Sequence, residues 1–158
     1  MASSPSETGA VPRRRQIRFT PEEQAQFLSE HSKCALATID KDGFPHVVAM
    51  GFYLGDDGAF YMTSYAKAQK VLNIRRNPKV GLMIEAGARY AELRGVMVRG
   101  SCEIIEDVET VRQVMNHRRG AAESGREGAL DSAPKRVVLK IVPHKITSWD
   151  HRKLGGRY

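Results

Sequence analysis

Alternation of apolar and polar positions marks most of the regular structure in this chain. Residues 33–40 alternate as a strand and end at Lys41-Asp42-Gly43, a hairpin turn. Residues 45–54 read as a second strand, Gly55-Asp56-Asp57-Gly58 as a turn, and residues 59–63 as a third strand. Further strands are predicted over 79–85, 91–105, 136–142 and 145–149, with Gly95 and Gly100 as bulges or bends in the long one. Three stretches follow a helical period. Thr20-Pro21-Glu22-Glu23 is a capping box with proline at the first helical position, and it opens a helix to about residue 31 that buries Phe27 and Leu28. A second helix begins at Ser64 or Tyr65 and runs to Arg76, where Asn77-Pro78 stops it. Asp107 caps a third helix to about residue 119, with Val108, Val111, Val114 and Met115 on one face. Residues 120–134, rich in Gly, Ala and Ser, read as a loop. The order is helix, three strands, helix, two strands, helix, two strands. Hairpin connections make the sheet largely antiparallel. Six or seven such strands with few helices predict a mainly β fold, a barrel with helical decorations.

The 158 residues, 41% apolar and 27% charged, suit one folded domain. No apolar run approaches the roughly 18 residues of a membrane span. Residues 1–17, rich in Ser, Pro, Gly and Arg, read as a disordered basic tail ahead of a domain over 18–158. Arg13-Arg14-Arg15 is followed by polar residues, so it opens no export signal. Cys34 and Cys102 both fall in apolar alternating stretches and read as small hydrophobes in a reducing, cytoplasmic setting. Twenty-five Lys and Arg against 18 Asp and Glu leave a charge of +7, which favours anionic partners or simply a solvated surface. Aromatics are only 7%, and no strand carries the aromatic-plus-basic pattern of RNA binding.

Familiar catalytic machinery is absent from the sequence. It holds no nucleophile elbow, P-loop or dinucleotide fingerprint. Its five histidines lack metal-ligand spacing, so no metal is expected. No acid, base or nucleophile constellation stands out, and no catalytic residue is assigned. A chain of this kind suits chemistry carried by a cofactor. The suggestive segment is Tyr61-Met62-Thr63-Ser64-Tyr65-Ala66-Lys67-Ala68-Gln69-Lys70, where a strand ends in hydroxyls and a helix opens with two lysines. Hydroxyls, free helix N–H groups and cations together suit a phosphate. An ordinary amphipathic helix with solvated lysines accounts for the same residues.

Gly43-x-Pro45-His46-Val47-Val48-Ala49-Met50, the Thr63-Ser64 strand end, Lys67, Lys70 and Asn77-Pro78-Lys79-Val80 resemble the pyridoxamine 5′-phosphate oxidase-like split β-barrel flavoproteins. The closing Ile146-Thr147-Ser148-Trp149-Asp150-His151-Arg152-Lys153-Leu154 is similar to the branch that uses the deazaflavin coenzyme F420. The resemblance spans residues 19–158. It implies a six-stranded antiparallel split barrel of the FMN- or F420-binding type, and a homodimer with the cofactor at the subunit interface. By position, Val48, Ala49, Met50 and Gly51 would pass the ring system and offer backbone hydrogen bonds. Thr63, Ser64, Lys67 and Lys70 would clamp the phosphate, and Trp149 would reach the site from the partner or pack at its edge. Oxidases acting on vitamin B6 carry an arginine three residues after the proline of this strand, and Val48 stands there instead. The implied activity is hydride transfer between F420 and a small electrophilic or unsaturated substrate. The alternatives are an FMN oxidoreductase of the same fold or a non-catalytic cofactor-binding protein.

Overall fold

Hydrogen-bond pairing between residues far apart in sequence sets where each strand begins and ends. The computed structural model describes residues 11–120 and 129–156. Seven strands form one sheet in the order β2-β1-β5-β6-β7-β4-β3, and every pairing is antiparallel. They are β1 Lys33–Ile39, β2 Pro45–Gly51, β3 Tyr53–Leu54, β4 Phe60–Tyr65, β5 Lys79–Ala86, β6 Arg94–Ile105 and β7 Arg136–Asp150. The helices are α1 Arg13–Gln16, α2 Pro21–Ser29, α3 Gln69–Arg76 and α4 Val108–Gly120. No helix among the described residues is long and apolar enough to cross a membrane.

The single segment expected over 45–54 divides at Phe52. β2 forms one edge of the sheet and β3 the other, with only Phe52 between them. The sheet must therefore curl until its edges meet, which makes it a split barrel. Phe52 donates its N–H to the Ser32 carbonyl at 2.9 Å and packs its ring 5.5 Å from that of Phe60. The barrel interior takes the inward residues of every long strand, including Leu36, Met62, Leu82, Val98 and Leu139. Phe27 and Leu28 of α2, and Val71 and Ile74 of α3, join this core.

Outside the barrel the two halves differ. α4 covers β4, β7 and the end of β6, burying Val111, Val114 and Met115 against Val138 and Ala133. Among the described residues no helix covers the outer face of β2, β1, β5 and β6, and the centre of that face is apolar. Register places Val47 and Ala49 beside Ala37 and Ala35, Ala35 beside Met83, and Met83 beside Met97. Val47, Met83 and Met97 are all exposed.

Several boundaries differ from the sequence reading for identifiable reasons. β4 continues to Tyr65 because Ser64 and Tyr65 pair with Val137 and Arg136, whose guanidinium lies 4.0 Å from the Tyr65 ring. The second helix consequently starts at Gln69, and Lys67 lies ahead of it. The two strands expected over 136–149 are one. Pro143 is tolerated because the register shifts beside it, from Arg99 opposite Lys145 to Gly100 opposite Pro143, and leaves His144 as the extra bulge residue. Gly100 sits at that bulge, where an added Cβ would lie 2.5 Å from the Val142 carbonyl oxygen. The strand expected from residue 91 starts at Arg94, after a 3₁₀ turn over Tyr90–Glu92. The first helix ends at Ser29, and His31 donates from Nδ1 to the Phe27 carbonyl just beyond it. Within the expected tail, Arg13–Gln16 forms a helical turn, and the Ile17 carbonyl accepts from the Asp150 N–H at 2.7 Å. Residues 1–10 of that tail, and residues 121–128 of the loop expected over 120–134, lie outside the described residues.

Replacing Phe52 with alanine removes the side chain that fills the seam. Chemical denaturation should show a loss of about 3–5 kcal/mol, the scale of a buried phenylalanine truncation. A loss under about 1 kcal/mol would mean the seam does not hold the barrel together.

Candidate functional site

The phosphate-type residues cluster where β4 hands over to α3. Alternation along β4 sends Thr63 and Ser64 to opposite faces. Thr63 pairs with Val138 on the side that α4 covers, while Ser64 pairs with Val137 on the interior side. Both are buried. Lys67 is exposed in the turn. Lys70 stands in the first turn of α3 and is half-buried, and burial holds its ammonium below the ordinary lysine pKa. No carboxylate lies within ion-pair distance of it among the described residues. The N-cap of α3 is Ala68, which supplies no capping side chain. An unpaired, partly desolvated cation thus sits beside uncapped helix N–H groups.

A buried polar chain fixes this helix on the sheet. Asn73, one turn beyond Lys70, donates to Thr38 Oγ1 at 3.0 Å and accepts from Gln69 Nε2 and Arg76 NH2, each at 2.8 Å. Thr38 lies opposite His46 on β2, whose Nδ1 is shielded from solvent with no hydrogen-bond partner. The start of β2 therefore lies at the same end of the barrel as α3.

Ladder parity sorts the four ring-contact candidates on β2. The bonds from Phe52 N–H to Ser32 O and from Asp40 N–H to Phe44 O belong to pairs in one register with β1. In an antiparallel ladder only alternate residues bond a given neighbour. Val48 and Met50 are thus tied to β1, and their side chains pack against the core. Ala49 and Gly51, with Val47, turn their backbone groups to the open edge. Against this strand lies a cavity of about 340 Å³ lined by Lys33, Cys34, Ala35, Val47, Val48, Ala49, Met83 and Glu85.

Trp149 is elsewhere. It lies opposite Gly95, where an added Cβ would come 2.5 Å from the indole, so the ring spreads over a position only glycine leaves open. β1, β5 and β6 separate it from β2. Trp149 does not line the cavity beside Val48 and Ala49. The residues after it are pinned. Buried Asp150 accepts from Arg152 N–H at 3.0 Å and Arg152 NH2 at 2.6 Å, and His151 donates from Nδ1 to the Tyr90 carbonyl at 3.0 Å.

Lys33, Met83, Glu85 and Met97 were missed by sequence reasoning. A signal was present: in residues 82–84 both phases of the alternation are apolar, with Leu82 and Ile84 inward and Met83 outward. Methionine at an outward position hints at a covered outer face.

The family model for pyridoxamine 5′-phosphate oxidase matches residues 20–150. A solved structure of a conserved hypothetical protein from Mycobacterium tuberculosis is 35% identical, with a TM-score of 0.80 over 90% of this chain and 92% of that one. An F420 reductase is 27% identical, with a TM-score of 0.65 over 80% of this chain and 98% of that one. A haem storage protein of Vibrio cholerae shares the fold at 19% identity and a TM-score of 0.65, over 82% of this chain and 94% of that one. No curated protein sequence matches the chain.

Hydrogen bonds from Arg152 hold the Asp150 carboxyl below its ordinary pKa. A lowered folded-state pKa contributes stability at pH above the unfolded value of about 3.9 and loses it as pH falls through the folded value. Thermal melts between pH 2 and 6 should show Asp150→Asn less stable than wild type near neutrality, with the difference shrinking in acid. A difference independent of pH would deny the carboxylate that role.

Proposed function

This chain belongs to the pyridoxamine 5′-phosphate oxidase family, and on that premise we propose that it is an F420-dependent oxidoreductase acting as a homodimer on a small electrophilic or unsaturated substrate. The observation that carries the reading is Lys70, a partly desolvated cation without a carboxylate partner at an uncapped helix start. A partly desolvated cation left unpaired lowers stability unless an anion joins it. The residues present fit a phosphate-bearing cofactor, because Lys70 and the α3 N–H groups supply the donors a phosphate needs. Ser64 and Lys67 border this seat from the preceding strand end and turn, and Thr63 supports it from the side under α4. Two features favour F420 over FMN: Val48 in place of the FMN-contacting arginine, and the likeness to an F420 reductase.

The open edge of β2 offers the backbone groups of Ala49 and Gly51 to the ring. Val48 and Met50 hold that strand in place from inside. When bound, the deazaflavin supplies the hydride. The protein's part is to orient the ring, exclude water and complement the charge left behind. The bare face carrying Val47, Met83 and Met97 suits a second copy, since a two-fold interface buries the same patch on both chains. Such packing would let Trp149 of one copy approach the β2 edge of the other.

Titrating the quenching of Trp149, the single tryptophan, with F420 and separately with FMN tests the cofactor. Tighter binding of F420 is expected. Tighter binding of FMN would move the protein to the flavin branch, and binding of neither would favour a non-catalytic role. Lys70→Ala should weaken F420 binding by about 1–3 kcal/mol, the scale of a charged hydrogen bond, and unchanged affinity would remove Lys70 from the clamp. Lys70→Met should instead raise the melting temperature of the free protein, because the partly desolvated charge is gone. Sedimentation should find wild type dimeric and Met83→Lys shifted toward monomer, and a monomeric wild type would overturn the shared site.

A further inference from the structure

On the uncovered face of β2, β1, β5 and β6, small and large residues are sorted by strand. Register sets Ala49, Ala35, Met83 and Met97 in one row across the four strands. The two alanines lie on β2 and β1, and the two methionines, both exposed, on β5 and β6. In the next outward row Gly51 pairs with Lys33, and Glu85 with Gly95. Continuing the β1–β5 ladder to that row sets Lys33 beside Glu85, and both line the cavity over Ala35 and Ala49. Among the described residues neither charge has an ion-pair partner, although a cation and a carboxylate stand side by side. The β1–β5 seam thus divides the face into two halves. Alanines and a cation occupy one half, methionines and a carboxylate the other.

We propose that a second copy of this chain docks on this face about a two-fold axis parallel to the β1–β5 seam, so that Lys33 of each copy meets Glu85 of the other. This register rests on the homodimer proposed above and fixes which residues meet. Turned over about that axis, β1 faces β5 of the other copy, and β2 faces its β6. Ala35 then lies opposite Met83 of the other copy, and Ala49 opposite its Met97. Large side chains entering small positions let the two surfaces interdigitate at the density of a protein interior. A two-fold contact requires such self-complementarity, because every residue pair occurs twice. An axis on the β5–β6 seam would instead oppose Met83 to Met97 and leave Lys33 and Glu85 apart. The β1–β5 axis also completes the open edge of β2. Two barrels that touch along one line leave a groove on each side of it. β7 lies one strand beyond β6, so the axis carries β7 of one copy about 4.8 Å past the β2 edge of the other. Trp149 is opposite Gly95 and stands in the row of Gly51. Each groove is thus walled by β2 of one copy and the Trp149 segment of the other, and neither chain forms it alone.

Sedimentation velocity of the full-length Lys33→Glu and Glu85→Lys variants, alone and mixed in equal amounts, tests this register. Each variant alone sets like charges against one another at both ends of the contact and should dimerise at least tenfold more weakly than wild type. The mixture pairs a copy bearing two carboxylates with a copy bearing two cations, and it should recover a dimer of near wild-type affinity. Within each copy of the mixture the charges at 33 and 85 remain alike, so contacts inside one chain cannot produce that recovery. Both residues are exposed, and circular dichroism with a thermal melt checks that the fold is kept. A second arm mixes Ala49→Cys with Met97→Cys under mild oxidation. A disulfide-linked mixed dimer is expected, and linkage of either variant to itself in preference would overturn the register. Single charge variants that dimerise as tightly as wild type, or a mixture no tighter than they are, would also overturn it. If Met83→Lys still dissociates in that case, the homodimer stands without this register. A monomeric wild type would overturn both.

Discussion

Phe52 is the residue on which the barrel turns. One chain segment supplies both edges of the sheet, and Phe52 is the only residue between them. A flat sheet cannot satisfy that connection, because its edges lie six strand spacings apart. Curling brings them together, leaves an interior to be filled, and directs alternate side chains of each strand into it. Burying Phe52 against Phe60 sets apolar area at the seam where a backbone ladder cannot close. It also leaves the edge of β2 open, and an open edge presents backbone groups that ordinarily find a partner.

The outer surface follows from this curling. A barrel has an outside everywhere, and α4 covers only half of it. On the other half the central outward positions are Ala, Val, Met and Gly, with Lys33, Lys79, Glu85 and Arg99 around them. Small residues at 35, 37, 49 and 81 keep that surface flat, so a partner can approach the backbone closely. Three groups lack a partner among the described residues: the Lys70 ammonium, the open edge of β2, and the Arg99–Lys145 pair. Each lowers stability slightly in the free chain through desolvation or repulsion. An anion beside either cation, or a second copy along the β2 edge, would relieve it, so binding there would draw on the same physics that shapes the fold.

Local signals were legible where chemistry within a few residues decides the outcome. The Thr20 capping box forms with both its hydrogen bonds, to Glu23 N–H and from Thr20 N–H. Asp107 caps its helix through the Thr110 N–H. Gly43 and Gly58 take positive φ in the two expected turns, where a side chain would strain the backbone. The Asn77-Pro78 stop falls at the end of α3. Failures came where a distant strand decided. Tyr65 is extended only because Arg136 pairs with it, and β7 runs through Pro143 only because β6 accepts a bulge there.

The sequence by itself determined the elements, their antiparallel arrangement, the family, and the presence of a lysine-bearing helix start after a hydroxyl-rich strand. Those properties rest on periodicity, capping and turn chemistry, which act over a few residues. Tertiary structure alone decided that Ser64 rather than Thr63 takes the interior side, that Ala49 and Gly51 hold the free backbone groups of β2, and that three strands stand between Trp149 and β2. It also decided that Arg99 meets Lys145. Strand order and register set all four, and both depend on where the barrel closes. No local pattern carries that information, because a shift of one residue would leave every local signal intact while turning each side chain to the other face.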